Sequence, residues 1–363
     1  MNKITLNMIV RDEAKIITRC LDSVRHLIDD YVILDTGSKD NTIPIIRDYF
    51  KQHNIPGIIR ESKFKDFSSS RNEAYRLCKN SEYILLIDAD MRLVINSKFN
   101  KNNLVADAYY LDQTNGDLKY ENIRLVKYNK DFIYKGVTHE YLDVNYAITD
   151  RLTTLSINDF NDGGSKKEKF TRDIKLLEVS LEAEPENTRS LFYLANSYKD
   201  SGNYPKALHF YKRRIEKLGW SEERYVACTY AIQCLAELAK PTFEVLALAL
   251  YAQKILPHRI EALYEALKYV RCVGNEEDQE IAYDLGQEYM NSIPQTGLFL
   301  DKSINEWKYF DELSILAYLN QDKYTYRLLI NKILDEKLYT KDQEERILRN
   351  AEFYKEEYEQ VES

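Results

Sequence analysis

The pattern of apolar residues predicts an α/β domain built on a largely parallel sheet, followed by an all-α solenoid of helical repeats. Three observations carry this. Short apolar, β-branched runs alternate with amphipathic stretches as far as Ile87, which is the signature of β-α-β units. Beyond about Thr171 the strand patterns stop, and paired helical patterns recur at a period of roughly 34 residues. A chain of 363 residues with 44% hydrophobic content is long and apolar enough for two separate cores. The expected domains are 1–165 and 166–363.

Ile4-Thr-Leu-Asn-Met-Ile-Val10 reads as the first strand, uncharged between Lys3 and Arg11. Ile16, Ile17, Cys20, Leu21 and Val24 then fall at helical spacing. Tyr31-Val-Ile-Leu-Asp35 is a second buried strand, running into the turn and capping cluster Thr36-Gly-Ser-Lys-Asp-Asn-Thr42. A helix from about Ile43 to Lys51 follows, with Asn41 or Thr42 as its cap. Gly57 to Glu61 is a third strand, Ser68 to Lys79 a third helix opened by serines, and Tyr83 to Ile87 a fourth strand. Ala106–Asp112 and Lys119–Lys127 read as two further strands, joined through the hairpin signal Asn115-Gly116.

In parallel sheets ligands bind beyond the carboxyl ends of the strands. Arg11-Asp12-Glu13, Asp35-Thr36-Gly37-Ser38 and Asp88-Ala89-Asp90 all fall at such ends. Two carboxylates one residue apart after a buried strand suit Mg²⁺ or Mn²⁺ shared with a diphosphate. The first strand is not followed by Gly-x-Gly-x-x-Gly, and Gly-x-x-x-x-Gly-Lys-Ser/Thr does not occur, which disfavours a dinucleotide enzyme and a P-loop hydrolase.

Asn7-Met-Ile-Val-Arg-Asp-Glu13, Asp35-Thr-Gly-Ser-Lys-Asp-Asn-Thr42, Phe67-Ser-Ser-Ser-Arg-Asn-Glu-Ala74 and Asp88-Ala-Asp90 resemble, in order and spacing, the motifs of family 2 glycosyltransferases. That resemblance implies the GT-A fold and a nucleotide-diphosphate sugar donor, here UDP-linked, with inversion at the transferred sugar. Gly136-Val-Thr-His-Glu140 resembles a motif of a subgroup with a tetratricopeptide (TPR) tail, which includes S-glycosyltransferases of bacteriocin peptides. By this resemblance Val10, Arg11 and Glu13 line the nucleotide pocket, and Asp35 accepts a hydrogen bond from the base. Asp88 and Ala89 lie at the nucleotide sugar, Asp90 holds the metal, and Asp88 acts through the ribose or through water, with a direct part in the metal site still open. Ser38, Asp40 and Thr42 shape the loop. Arg71 and Asn72 hold the rim or approach the diphosphate, the alternative for Arg71 being an ion pair to Asp66 or Asp88.

Sugar transfer needs a group that removes the acceptor proton. Glu140 is the first choice of base, His139 an acceptor-side group or metal ligand, and Asp112 the runner-up base. On a regular strand the neighbours His139 and Glu140 would point to opposite faces. Related sequences commonly carry a His near the start of Asp159-Phe-Asn-Asp-Gly-Gly-Ser-Lys-Lys-Glu-Lys169, where this chain has Asp159, which weakens the transfer of a metal-binding role there. This stretch reads as a solvated linker in which Gly163 and Gly164 give freedom and Lys166, Lys167 and Lys169 are able to close over a diphosphate.

Leu191, Leu194, Ala195, Tyr198, Gly202, Tyr204, Ala207 and Tyr211 match the TPR pattern, and less regular helix pairs follow over 227–257, 262–289 and 313–333. Each pair needs its neighbours to bury its apolar face, so the set is expected to stack. A peptide-binding face or self-association into a homodimer fits the 29 tyrosines, a residue type that anchors interfaces well. A net charge of −8 argues against nucleic acid as a partner. The longest apolar stretch, Val245 to Leu256, is too short for a bilayer, and no signal segment precedes Ile4. Five scattered cysteines without Cys-x-x-Cys suit a reducing cytoplasm. The expected activity is thus a metal-dependent glycosyltransferase acting on a peptide, protein or glycan. The rival from another class is an inactive transferase-like scaffold that binds a peptide through the repeats. A nucleotidyltransferase ranks below both, because the basic glycine-rich loop it needs is missing after the first strand.

Overall fold

The computed structural model describes residues 2–116, 118–163, 169–292 and 297–359. The chain divides into two compact units, Met1–Ala183 and Glu184–Ser363. The boundary expected at 165/166 lies outside the described residues, and the helix that follows it, α4 (Lys169–Ala183), belongs to the first unit.

In the first unit β1 (Ile4–Val10) is central, and Ile4, Leu6, Met8 and Val10 are buried. A strand covered on both faces reads as a continuous apolar run, which is why it was legible. It pairs in parallel with β2 (Asp30–Asp35) and with β4 (Tyr83–Leu86), and β2 pairs in parallel with β3 (Gly57–Glu61). Helix α1 (Ile17–Val24) buries Ile17, Cys20, Leu21 and Val24 on one stripe against this sheet. Helix α2 (Thr42–Gln52) starts at the expected place, but Asn41 makes no side-chain cap; Asp40 accepts from Thr42 N at 3.0 Å instead. Helix α3 (Phe67–Arg76) is capped by Asp66, which accepts from Ser69 N at 2.7 Å, rather than by the serines.

Two strands of the main sheet escaped the sequence pattern, as did the short ribbon described below. β5 (Met91–Ile95) and β10 (Thr149–Asp159) pair antiparallel and extend the sheet. β10 carries Asp150, Arg151 and three threonines, and its outer half is exposed, so its burial is a matter of partners and not of composition. The hairpin strands β6 (Ala108–Asn115) and β7 (Leu118–Lys127) pair as expected, with Gly116 at φ +57°, a conformation that glycine adopts without steric cost. Among the described residues the eight strands run in the order β3-β2-β1-β4-β7-β6-β10-β5. A small second ribbon joins β8 (Ile133–Lys135) to β9 (Tyr141–Asp143). The sheet is mixed: parallel at β3-β2-β1-β4, then antiparallel where β7 joins β4.

The second unit contains the expected helix pairs: α5 (Thr188–Asp200) with α6 (Tyr204–Glu216), and α7 (Ser221–Glu237) with α8 (Thr242–Ile255). Helix α9 (Glu261–Val273) pairs with α10 (Glu276–Glu288), α11 (Tyr309–Leu319) with α12 (Lys323–Glu336), and α13 (Glu344–Glu359) follows. A Cβ added to Gly286 of α10 would stand 2.4 Å from Leu313 of α11, so glycine allows this close packing. Charge is buried here as well as apolar surface. Arg259, 1% exposed, is ion-paired to Glu261 at 2.6 Å and to Glu222 at 2.5 Å. Removing one partner of a buried pair strands the others in a medium of low polarity. Arg259→Met is therefore expected to destabilise this unit by about 3–5 kcal/mol, read as a lowered urea midpoint. An unchanged midpoint would mean that the pair contributes no net stability.

Candidate functional site

The first unit holds a pocket of about 400 Å³ at the carboxyl ends of β1 and β4. The chain runs from β1 to one side of the sheet and returns at β4 on the other, and this reversal opens a crevice at their ends. Val10, Arg11 and Glu13 leave β1 into the pocket wall, and Asp88, Ala89 and Asp90 leave β4 into it. Thr138, His139 and Glu140 approach from the connection between β8 and β9, and Asp159 and Asn161 from the end of β10. Arg172 and Asp173 come from α4. Of the sequence-predicted binding and catalytic residues, Asp35, Asn72 and Asp112 are absent from this wall.

His139 has φ +50°, a left-handed conformation. The backbone is therefore irregular here, and both His139 and Glu140 face the pocket where a regular strand would have presented one. The opposite-face rule holds for a regular strand, and the left-handed residue at His139 is the irregularity that releases the pair from it.

Arg71 sits at the centre of the site's electrostatics. Its Nη2 lies 2.7 Å from Asp88 Oδ1, and its Nε lies 2.5 Å from Glu140 Oε1. Of the alternatives open in the sequence, the ion pair to Asp88 is the one that forms, while Asp66 caps α3. Arg124 Nη1 adds a second contact to Asp88, at 3.4 Å from Oδ2. Burial opposes the charge on Asp88, but the two guanidinium groups outweigh it and hold the carboxyl below its usual range. Burial likewise works against the charge on Arg71, and the carboxylates of Asp88 and Glu140 raise its pKa in spite of it. Asn72 makes a structural contact: it accepts from Tyr134 N at 2.7 Å and donates to Tyr134 O at 2.9 Å.

The network continues beneath the pocket wall to Asp159, which lines it. Arg124 Nε donates to Gln113 Oε1 at 2.9 Å, and Gln113 Nε2 donates to the Tyr120 hydroxyl at 3.1 Å. That hydroxyl in turn donates to Asp159 Oδ2 at 3.2 Å. Burial and then the Asp159 carboxylate push the Tyr120 phenol up to about 12, so it stays a proton donor in this chain. Cys20, whose thiol donates to the Asp88 carbonyl at 3.4 Å, is held protonated by burial and by the charges of Asp88 and Asp90, which excludes it as a nucleophile.

Asp90 is placed differently from Asp88. A Cβ built on Gly163 would stand 3.3 Å from Asp90 Oδ2 and 3.3 Å from Glu13 Oε1, so both carboxylates lie close against Gly163. Oxygen donors of this kind fit Mg²⁺ or Mn²⁺. Among the described residues no group of three or more His, Cys, Asp or Glu side chains is placed to hold a metal alone. The donor set fits a cation completed by a diphosphate, since Mg²⁺ is commonly bound through one or two carboxylates plus substrate phosphates.

Asp35 is buried, and its oxygens accept from Gly37 N, from Ser38 N and from Ser38 Oγ at 2.5–3.2 Å. Here it organises the 36–38 turn, as Ser38 and Asp40 were expected to organise the loop: Asp12 N donates to Ser38 Oγ at 3.0 Å and Ala14 N to Asp40 Oδ2 at 3.0 Å. Asp112 alternates on β6 with buried Leu111 and Gln113 and lies near Arg151 at 3.7 Å, on the exposed face. Lys166 and Lys167, and the side chain of Lys169, lie outside the described residues, as does Gly164. Sequence reasoning missed Arg124, Gln113, Phe64, Arg172 and Asp173. Only Gln113 and Arg124, polar residues inside strands, left any signal. The Arg172 guanidinium stacks 4.8 Å over Phe67, a contact that depends on α4 folding back onto α3.

Residues 5–96 match the family model described as "Glycosyl transferase family 2". The chain is 28% identical over 256 residues to the SPbeta prophage-derived glycosyltransferase SunS of Bacillus subtilis, covering 63% of this chain and 59% of that protein. It is also 30% identical over 151 residues to a TPR repeat-containing protein of Synechococcus elongatus, covering 39% of this chain and 36% of that one. The chain thus spans less than two thirds of the length of the curated relatives it matches. Among solved structures, S. aureus TarS overlaps 64% of this chain and 49% of its own, at 14% identity and a TM-score of 0.34.

Proposed function

We propose that this chain, a family 2 glycosyltransferase domain joined to TPR-like helical repeats, transfers a sugar from a UDP-linked donor to an acceptor with the aid of Mn²⁺ or Mg²⁺. The single observation that carries this reading is that Asp90 and Glu13 share one pocket wall and both lie against Gly163, at the strand ends of a nucleotide-binding type of sheet. When bound, the cation would neutralise charge on the departing diphosphate. Asp90 and Glu13 would hold it. Asp88, matched by two arginines, serves to fix the floor and not to bind metal. Val10 and Arg11 lie at the nucleotide end, with Asp35 shaping the neighbouring turn.

An in-line displacement with inversion requires a proton acceptor on the acceptor side. Glu140 and His139 line the pocket and Asp112 does not, so the choice lies between the first two. Arg71 occupies Oε1 of Glu140, which leaves its second oxygen or the His139 ring to receive the proton. Glu140→Gln is expected to lower turnover by about 10²-fold or more, the usual contribution of a general base. Unchanged turnover with an unchanged pH profile would remove Glu140 and leave His139.

The acceptor is a peptide or protein segment bound by the repeats. A row of polar groups supports this: Lys199 of α5 donates to Gln233 of α7 at 3.3 Å, and Gln233 donates to Glu265 of α9 at 2.8 Å. Such a row crosses the first helices of successive pairs and suits a chain with repeating amide groups. The test of the whole reading is a donor screen with Mn²⁺ or Mg²⁺ and a panel of nucleotide sugars, following nucleotide release and thermal shift. Metal-dependent release from one UDP-sugar supports it. A folded protein silent across the panel would instead favour the scaffold. No described helix is long and apolar enough to cross a membrane.

A further inference from the structure

We infer that Arg19 is a positioning residue that holds Asp90 and the 160–163 segment in the geometry the cation site needs; this rests on the glycosyltransferase reading above. Arg19 lies in the first turn of α1, outside the pocket wall. Its guanidinium reaches three groups at once. Nη1 and Nη2 donate to the two carboxylate oxygens of Asp162 at 2.8 and 2.6 Å. Nη2 also donates to the Asp90 carbonyl at 3.3 Å, and the plane lies 4.2 Å from the centre of the Phe160 ring.

The second hold on Asp90 comes from the same segment. Phe160 N donates to the Asp90 carbonyl at 3.1 Å, immediately after Asp159 pairs with Met91 in the sheet. The Asp90 backbone is therefore fixed by two donors, one from α1 and one from the exit of β10. Gly163 follows one residue after Asp162, and it is the position from which Asp90 and Glu13 are each 3.3 Å from a built Cβ. Releasing Asp162 would let the chain at Gly163 move against both carboxylates.

Stability does not explain this arrangement. Both Arg19 and Asp162 are about a third or more exposed, and exposed ion pairs contribute little. Arg19 Nε is also buried without a hydrogen-bond partner among the described residues, a cost that a residue selected for stability alone would shed. What the fork supplies is direction: three contacts set by one planar group, which lysine with its single ammonium cannot reproduce.

Outer groups that orient metal ligands typically change metal affinity by 10- to 100-fold when removed. The experiment titrates Mn²⁺ into full-length protein with UDP present, following the free Mn²⁺ resonance signal, for wild type, Arg19→Met, Arg19→Lys and Asp162→Ala. Metal-free UDP binding and thermal midpoint are measured alongside. The expected result is a Mn²⁺ dissociation constant raised about 10-fold or more in Arg19→Met. Arg19→Lys should fail to restore it, Asp162→Ala should weaken it in the same direction, and metal-free UDP binding should not change. Because Asp162 is at the surface, Asp162→Ala decides the matter even if Arg19→Met folds poorly. Wild-type affinity in Asp162→Ala and in a folded Arg19→Met overturns the inference alone. A wild-type protein that takes up no Mn²⁺ with UDP overturns the function reading, and this inference with it.

Discussion

Asp90→Asn is expected to lower sugar transfer by about 10³-fold, with the residual rate insensitive to added Mn²⁺ or Mg²⁺. The substitution keeps the side chain's shape but removes the charge that faces Glu13 across the Gly163 position. A bound cation contributes several kcal/mol of charge stabilisation to a departing diphosphate, and about 4 kcal/mol corresponds to three orders of magnitude in rate. Asp88→Asn serves as the contrast. Asp88 is matched by Arg71 and Arg124, so its loss should perturb the fold of the site more than its metal dependence. The measurement is the initial rate against metal concentration for each variant. Full metal-dependent activity in Asp90→Asn would remove the metal assignment altogether.

Arg71→Met should damage both stability and activity. It strands Glu140 and leaves Asp88 with only the longer contact to Arg124, in a site where these side chains are 12% and 22% exposed. Breaking such a pair is expected to cost on the order of 3 kcal/mol at neutral pH, and displacing Glu140 about 10²-fold in rate. The pH dependence follows from the lowered pKa of Asp88. A carboxylate with a depressed folded pKa contributes its stability above its unfolded value, near 3.9, and loses it as the pH falls through the folded value. The difference in thermal midpoint between wild type and Arg71→Met should accordingly be full at pH 7 and shrink below about pH 4. A difference that stays constant down to pH 2 would show that Arg71 acts by packing and not by charge.

The parts of this protein that were legible in the sequence are those governed by neighbours in the chain. Buried parallel strands such as Ile4–Val10 announce themselves because both faces must be apolar. The repeat helices do so because their small and aromatic positions recur with a helical period, as at Ala195, Tyr198 and Ala207. Strand ends follow directly from the strands, so the sequence pattern alone puts Arg11, Glu13, Asp88 and Asp90 on one rim, and all four line the pocket. The hairpin at Asn115-Gly116 belongs here too, since it needs only a residue at ease with positive φ.

Other features depend on contacts between residues far apart in sequence. β10 is a strand because β5 and β6 offer it hydrogen bonds on both sides, and its own residues carry little β signal. His139 and Glu140 share one pocket because the backbone turns left-handed at His139, a choice made by the ribbon around it. Asp88 and Asp90 look equivalent in the sequence, one residue apart. The arrival of Arg71 from α3 and Arg124 from β7 neutralises the first, and the second lies with Glu13 against Gly163. Local periodicity determined which segments fold and where their ends lie. The pairing of charges across the fold decided that Asp88 is tied to Arg71 and Arg124, because electrostatic partners are set by distance in space and not by spacing along the chain.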